Sequence, residues 1–390
     1  MNVPKLRFKE FNNEWQSINL ADIFQYFSTN SFSREQLSES GILKNLHYGD
    51  IHRKYNSIVN ENKEITSYVK DINYVNKYEL LKNNDLIFAD ASEDHEGIGK
   101  AVEVVNVNNN TVSGLHTILA RDNSNVFAPM FKGYYFNSPI VHNQIRVLAN
   151  GFKVYGISKE AINKLNIKIP SIKEQSKIAN TFYLLDKKIE LQSKKIEDLK
   201  LFKKGLLYNE KRNNNSWYEY KISDIMNITR GTVIPKTEIS ECINNEFKYP
   251  VYSSQTSNNG ILGYDNKYDF NGKFLTWTTD GANAGKVFYR EGKFRCTNVC
   301  GILYNKDNRY VSELTAELLN IETPKYVSYV GNPKLMNNVM SNIIIKLPDP
   351  SRDHFFSSIL KIINKKLTIE EEKLDKLFEL KKGLMLNMFV

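Results

Sequence analysis

Lys187-Lys188, Lys195, Leu199 and Lys203-Lys204-Gly205-Leu206 return later in the chain as Lys365-Lys366, Lys373, Leu377 and Lys381-Lys382-Gly383-Leu384, at a constant offset of 178. The register holds without a gap back to Lys168 and Pro170, which align with Lys346 and Pro348. An ungapped match of this length with shared apolar spacing marks an internal repeat, and a repeat decides how the rest is read. The starts of the halves correspond too. Trp15 with Ile18-Asn19-Leu20-Ala21-Asp22-Ile23 resembles Trp217 with Tyr220-Lys221-Ile222-Ser223-Asp224-Ile225, at an offset of 202. The first half therefore carries 24 more residues (202 − 178) between its Trp and its Pro. Two domains of one design differ in their interiors and keep like tails.

Each tail opens after a strand-like run ending in proline, Leu165–Pro170 and Ile343–Pro348. Ser171 with Glu174 fits a capping box, and Asp349 before Pro350 fits an N-cap with proline at the first helical position. Apolar residues then fall at Ile178, Phe182, Leu185, Ile189, Ile196 and Leu199, with Phe202 and Leu206 beyond. The second tail gives Phe356, Leu360, Ile363, Leu367, Leu374, Leu377, Leu380 and Leu384. Steps alternating between four and three residues predict a coiled-coil seam, which needs a partner helix, and the other copy is the nearest candidate. Gln192 and Glu370 break the seam at equivalent places. Either they meet at the centre of an antiparallel pair and fix its register, or both rotate outward into water. A helix over 171–208 would be roughly 55 Å long at about 1.5 Å per residue, against about 34 Å for one turn of the DNA major groove. Such a spacer suits two short sequences separated by an unread gap. The boundaries expected are 1–170, 171–212, 213–348 and 349–390.

With 390 residues the chain suits two domains and helical connectors. Its formal charge of +9 favours a polyanionic partner, weakly. The cysteines Cys242, Cys296 and Cys300 match no zinc spacing and read as single buried thiols in a reducing compartment. The start lacks a hydrophobic signal core and no apolar run reaches membrane-spanning length, so a cytoplasmic protein without a membrane partner is expected.

Both interiors read as strands and loops. Asp85–Phe88 and Ala101–Val105 bracket a polar loop over 90–97, while Phe274–Trp277 and Val287–Arg290 bracket 278–284. Both loops end in Gly-Lys, at Lys100 and Lys286. Without a following Ser or Thr they suit a DNA phosphate better than a nucleotide site. Glu291-Gly292 reads as a hairpin turn leading to Lys293–Cys296. Base reading calls for Arg, Lys, Asn, Gln, Ser and Thr on exposed elements. The candidates are His52, Arg53, Lys54, Ser92 and Lys100 in the first half. The second half offers Arg230, Ser253, Ser254, Gln255, Thr256, Asn258, Lys286, Thr297 and Asn298. His116, between apolar neighbours, reads as a hydrogen-bonded core histidine. No glycine-rich methyltransferase turn with an Asn/Asp-Pro-Pro-aromatic motif, no complete Walker A loop and no defensible metal-ligand set occurs. Catalytic residues and metal ligands are therefore expected to be absent, with the chemistry on a partner. A stand-alone nuclease or methyltransferase with paired recognition domains, or a coiled-coil protein scaffold, are the alternatives.

The arrangement resembles the specificity subunits of type I restriction-modification enzymes. The resemblance rests on Pro4–Phe11 with Trp15, Tyr48-Gly49-Asp50-Ile51-His52, Ser113-Gly114-Leu115-His116-Thr117 and Tyr155-Gly156-Ile157-Ser158. It extends through Pro170 with Glu174-Gln175, Ile178 and Asp186, then Lys203–Leu207. It implies an α+β fold of two α/β target-recognition domains separated by a two-helix antiparallel coiled coil with pseudo-twofold symmetry. Each domain would read half of an interrupted site in double-stranded DNA. Partners would be two methyltransferase subunits using S-adenosylmethionine and two restriction subunits using ATP and Mg, with no cofactor on this chain. Arg352-Asp353 replaces Glu174-Gln175 in the second helix and Asn364 replaces Asp186, so identical methyltransferase contacts by both helices do not follow.

Overall fold

The computed structural model describes residues 3–70, 78–151, 153–212, 217–255, 257–305 and 307–390. The chain forms two compact units, Met1–Ser193 with Lys373–Val390, and Lys194–Glu372.

In the first unit Gln16–Ile18, just after the buried Trp15, pairs antiparallel with Ile167–Ile169. A turn of helix, Leu20–Ile23, then turns the chain into Phe24–Phe27, the edge of a five-stranded sheet. The sheet runs in the order Phe24–Phe27, Thr117–Asp122, Leu86–Ala89, Ala101–Val105, Ile58–Asn60. Leu86–Ala89 is buried at all four positions, which is why its sequence is an unbroken apolar run rather than an alternation. Helices Phe131–Phe136 and Pro139–Leu148 cover one face. The buried Glu103 carboxylate accepts the backbone N–H of Met130 at 2.8 Å and of Gly133 at 2.9 Å and faces Lys132 at 3.4 Å. Leu37–Ser38, Lys44–Leu46, Tyr68–Val69 and Thr111–Ser113 build a second, four-stranded sheet.

The second unit repeats the opening. Trp217–Lys221 pairs antiparallel with Ile344–Pro348, Ile222–Ile225 is the turn of helix, and Asn227–Arg230 enters the sheet. That six-stranded sheet runs in the order Asn227–Arg230, Cys300–Tyr304, Phe270–Thr278, Val287–Cys296, Tyr249–Tyr252, Ile261–Asp265. The expected turn at Glu291-Gly292 is overturned. Val287–Cys296 is one strand, and Gly292 sits mid-strand opposite Gly272. Both glycines have positive φ, 100° and 133°, so the ribbon bends there while its pairing register continues unbroken. The hairpin loop is the 279–286 segment instead.

Two long helices, Ile172–Arg212 and Pro350–Asn387, contribute to both units. In the first unit Phe182 stacks on Phe389 with centroids 5.5 Å apart, and Asp186 Oδ1 meets Lys381 Nζ at 2.5 Å. In the second, Lys195 reaches Glu370 at 2.9 Å, Lys200 reaches Glu371 at 2.7 Å, and Lys203 donates to Asn364 Oδ1 at 2.7 Å. From Phe182–Phe389 to Asp186–Lys381, and from Lys195–Glu370 to Lys203–Asn364, rising numbers on one side meet falling numbers on the other, so in each unit the pairing is antiparallel.

Ile178, Phe182, Leu185, Ile189, Ile196, Phe356, Leu360, Ile363 and Leu367 are buried, and Leu199, Leu374 and Leu377 are half-buried. Phe202 and Leu380, read as continuing the stripe, are instead exposed, and Leu207, Met388 and Phe389 point inward. A straight helix drifts by about 20° per heptad, enough to carry the far ends of a strict pattern off the seam. At the shared break, Glu370 is only 4 % exposed, so its outward rotation is overturned: Lys195 holds it inside. Gln192 is half-buried.

The helix starts also diverge from the repeat. Ser171 Oγ accepts the Glu174 N–H at 3.4 Å, but the Glu174 carboxylate does not turn back to complete the capping box. It grips Arg7 with two bonds of 2.7 and 2.8 Å. Asp349 Oδ1 caps the second helix through Ser351 N and Arg352 N, as Asp-Pro predicts.

Candidate nucleic-acid interface

In the second unit the polar residues picked out in the sequence converge at one end of the six-stranded sheet. Thr232 N donates to Cys296 O and Thr297 N to Tyr252 O, drawing three strand ends together. Thr297 Oγ1 then lies 3.2 Å from Ser253 Oγ, and Thr278 Oγ1 reaches Ser254 O at 3.5 Å. Arg230 donates to Thr279 Oγ1 at 3.2 Å and to Asp280 Oδ2 at 3.3 Å, while its Nε has no partner. Gln255 Nε2 turns back onto Ile261 O. Asn258 is exposed with φ of 47°, and Asn298 is exposed. Thr256 lies outside the described residues. Beneath this edge sits Arg290, which sequence reasoning missed. It is 3 % exposed, 3.7 Å above the Tyr252 ring centroid and 4.4 Å from that of Phe288, and burial pulls it below the usual arginine range.

The first unit arranges its candidates differently. Tyr48–Arg53 is a short helix capped by His47, whose Nδ1 accepts the Gly49 N–H at 3.1 Å. Burial, reinforced by Arg34, pushes His47 down to about 4, so it is neutral. Asp50 is buried under Arg34, at 2.7 and 3.1 Å, and Lys54 joins it at 3.2 Å. Lys54 is thus half committed to an ion pair, whereas Arg53 is exposed. His52 Nε2 meets Ala91 O at 2.9 Å. Ser92 is buried and accepts Asp94 N.

The reading of His116 as a core residue is corrected. It sits at φ 54° between two strands, which turns its ring outward to 51 % exposure, 3.3 Å from Asp90 and 5.2 Å from the Tyr48 ring. Its flanking residues, not the imidazole, carry the burial. Arg34, Tyr48, Asp90 and His116 complete the surface. Tyr48, Asp90 and His116 lay in stretches singled out in the sequence, whereas nothing in the sequence placed Arg34 near Asp50.

Lys100 and Lys286 occupy matching places. Lys100 Nζ donates to His52 O at 3.3 Å and lines a cleft of about 320 Å³ with Lys381 and His142. Burial lowers both lysines' pKa values; Lys381 adds to this for Lys100, and for Lys286 Glu317 opposes it while Lys203 adds to it. Lys381 and Lys203 are themselves 178 apart, so each Gly-Lys lysine stands near the same helix position. Of the cysteines, Cys296 and Cys300 are buried as expected, but Cys242 is exposed. Among the described residues no group of three or more His, Cys, Asp or Glu could hold a metal ion, and no helix is long and apolar enough to cross a membrane.

The chain belongs to the type I restriction-modification specificity family: the model of the type I restriction modification DNA specificity domain matches residues 12–201 and again residues 214–379. A Mycoplasma pneumoniae protein described as the N-terminus of a type I specificity subunit is 47% identical over 125 residues, 32% of this chain and 65% of that protein. A second type I specificity subunit of that organism is 35% identical over 208 residues, covering 51% of this chain and 75% of that one. The chain spans 65% of the first of these relatives and 39% of a further type I specificity subunit of the same organism, to which it is 42% identical over 146 residues. Among solved structures, the S subunit of a type I restriction-modification system from M. genitalium superposes with a TM-score of 0.72 over 100% of this chain and 99% of that one, at 15% identity. A chain from a structural study of complex assembly and conformational transition in a type I system gives 0.51, covering 95% and 96%, at 14% identity. At these identities the likeness is one of fold. The α+β architecture with its internal repeat and the specificity-subunit class expected from the sequence both stand.

Proposed function

We propose that this chain reads one interrupted site in double-stranded DNA, each unit contacting one half. On this reading the edge formed by Arg230, Ser253, Ser254, Thr297 and Asn298 meets one half-site, and the surface of His52, Arg53, Asp90 and His116 meets the other. The basic surplus supplies phosphate attraction, and the helix pair sets the unread gap. The observation that carries the reading is the repetition of one design, domain opening, sheet edge and helix register alike, within a family whose members are specificity subunits.

The catalytic steps belong to partners on this reading: two methyltransferase subunits using S-adenosylmethionine and two restriction subunits using ATP and Mg, in the cytoplasm. Support for docking comes from a second apolar stripe outside the seam. In the first unit Leu184 and Leu191 are 59 % and 68 % exposed, seven residues apart. In the second, Phe355, Ile362 and Ile369 are 58 %, 69 % and 41 % exposed at the same spacing. Ile362 and Ile369 are the 178-offset equivalents of Leu184 and Leu191, so each unit offers one like strip to a partner helix.

The test is the methylated-adenine map of a cell carrying this chain and its methyltransferase. A two-part motif with a constant gap is expected, and adding one helical turn to both tails should change the gap and leave the half-sites alone. A single contiguous motif, or half-sites that change with helix length, would overturn the reading.

A further inference from the structure

Each unit carries a small finger with the same stem and a different tip. Asn150 N donates to Gly156 O at 2.9 Å and Gly156 N to Asn150 O at 2.7 Å. Ser328 and Lys334, each 178 residues on, exchange the same two bonds at 2.9 Å each. The stems also rest on the same support. Ile157 N donates to Asp90 O at 2.9 Å, and Leu335 N to Thr279 O at 2.9 Å. Gly156 is paired with Ala91, and Lys334 is bridged to Asp280. Both fingers therefore lie on the loop that carries the polar surface residues, beside Asp90 and His116 in one unit and beside Arg230, Thr279 and Asp280 in the other.

The tips share no residue. Gly151-Phe152-Lys153-Val154-Tyr155 stands against Tyr329-Val330-Gly331-Asn332-Pro333. The positive-φ glycine moves from the first position, Gly151 at 131°, to the third, Gly331 at 74°, so the backbones differ as well. Val154 is 58 % exposed, and Tyr329 and Val330 are 69 % and 91 % exposed. Phe152 lies outside the described residues. Adjacent large apolar side chains at a loop tip gain nothing from the fold, while Lys334 on the stem and Lys153 on the other tip supply positive charge next to them. A constant stem with a changeable tip is what a specificity element requires. Apolar tips suit the C5-methyl of thymine, the one apolar mark in the major groove.

We propose that residues 329–333 are a base-reading finger, with Tyr329 and Val330 entering the major groove of the second unit's half-site and Val330 packing on a thymine methyl. This rests on the reading that each unit contacts one half-site.

The full chain in complex with its methyltransferase should be compared with the Tyr329→Ala, Val330→Ala double variant by mapping methylated sites. The variant should lose about tenfold discrimination at one or two base pairs of a single half-site, the range of one good base contact. The other half-site and the gap should stay unchanged. Two unaltered half-sites at the wild-type rate would overturn the proposal. A wild-type map without two parts would overturn the reading beneath it instead. Should the variant complex not assemble, the wild-type complex decides. With 5-bromodeoxyuridine at the half-site thymines, photo-crosslinks on the peptide holding residues 329–333 support the finger, and crosslinks confined to other segments overturn it.

Discussion

Lys203 Nζ lies 2.7 Å from Asn364 Oδ1, at the place where the other half of the repeat sets Lys381 against the Asp186 carboxylate at 2.5 Å. An amide cannot neutralise an ammonium, and the compensating charge comes from the recognition domain: Glu317 reaches Lys203 at 2.6 Å. Asn364 Nδ2 in turn donates to Glu313 at 2.9 Å. The replacement that breaks the repeat is thus matched by acids on the neighbouring helix Glu313–Glu322.

Restoring the repeat should therefore harm the second unit. Asn364→Asp would place a third carboxylate beside Glu313 and Glu317 and remove the donor to Glu313, whose carboxyl burial already holds above the usual range. A loss of about 1–3 kcal/mol is expected from the lost bond and the added repulsion. Chemical denaturation measures it, and a variant as stable as wild type would contradict the pairing described.

Lys195 and Glu370 make a second measurable pair. Lys195→Ala leaves a buried carboxylate short of its cation and should lower the denaturation midpoint. Glu370→Leu should raise it, because apolar packing at such a site commonly equals or exceeds the ion pair it replaces. A register or oligomer change in Glu370→Leu, seen by hydrogen exchange and native mass measurement, would show what the polar break specifies.

Gly301 lies beneath Trp277, and a Cβ there would sit 2.2 Å from the indole. The indole is anchored by its Nε1–H to Leu335 O at 3.0 Å and cannot withdraw. Gly301→Ala is expected to cost about 3 kcal/mol or more through overpacking, read as a large drop in melting temperature.

His47 gives a pH signature. Its folded pKa, near 4, lies below the unfolded value of 6.5, so the unfolded chain binds the proton more readily. Nothing is lost above pH 6.5, and stability falls as pH drops from there toward 4, by about 2 kcal/mol between pH 7 and pH 5. His47→Asn, which keeps an acceptor for Gly49 N–H, should flatten that slope.

Ile362→Asp with Ile369→Asp places charge on the exposed strip of the second unit and leaves the seam untouched. On the proposed docking of two methyltransferases, native mass measurement should show the variant binding one fewer than wild type, with the chain's own melting temperature within 2 °C or so (about 0.5 kcal/mol) for a surface change. Two bound methyltransferases would move the docking surface elsewhere.

Much of this protein was legible because its information is local or repeated. Seam positions, the Asp349-Pro350 cap and the strand Ala101–Val105 depend on spacing within a few residues, and the repeat supplied an internal check. The sites were legible only as a pool of candidates. Ser92 and His116 exchanged roles, the first buried and the second exposed, because a single φ of 54° decides where the imidazole points. Arg290 gave no signal at all, since its burial depends on Tyr252 and Phe288 closing over it.

The amino-acid sequence alone determined that there are two like domains and that each ends in a helix needing a partner. Periodicity and repetition carry those facts along the chain. Only the tertiary structure decided that Glu370 points inward, that Lys203 is balanced by Glu317, and which polar residues gather on one sheet edge. Those depend on side chains distant in sequence meeting at hydrogen-bond range, and no spacing rule encodes such meetings.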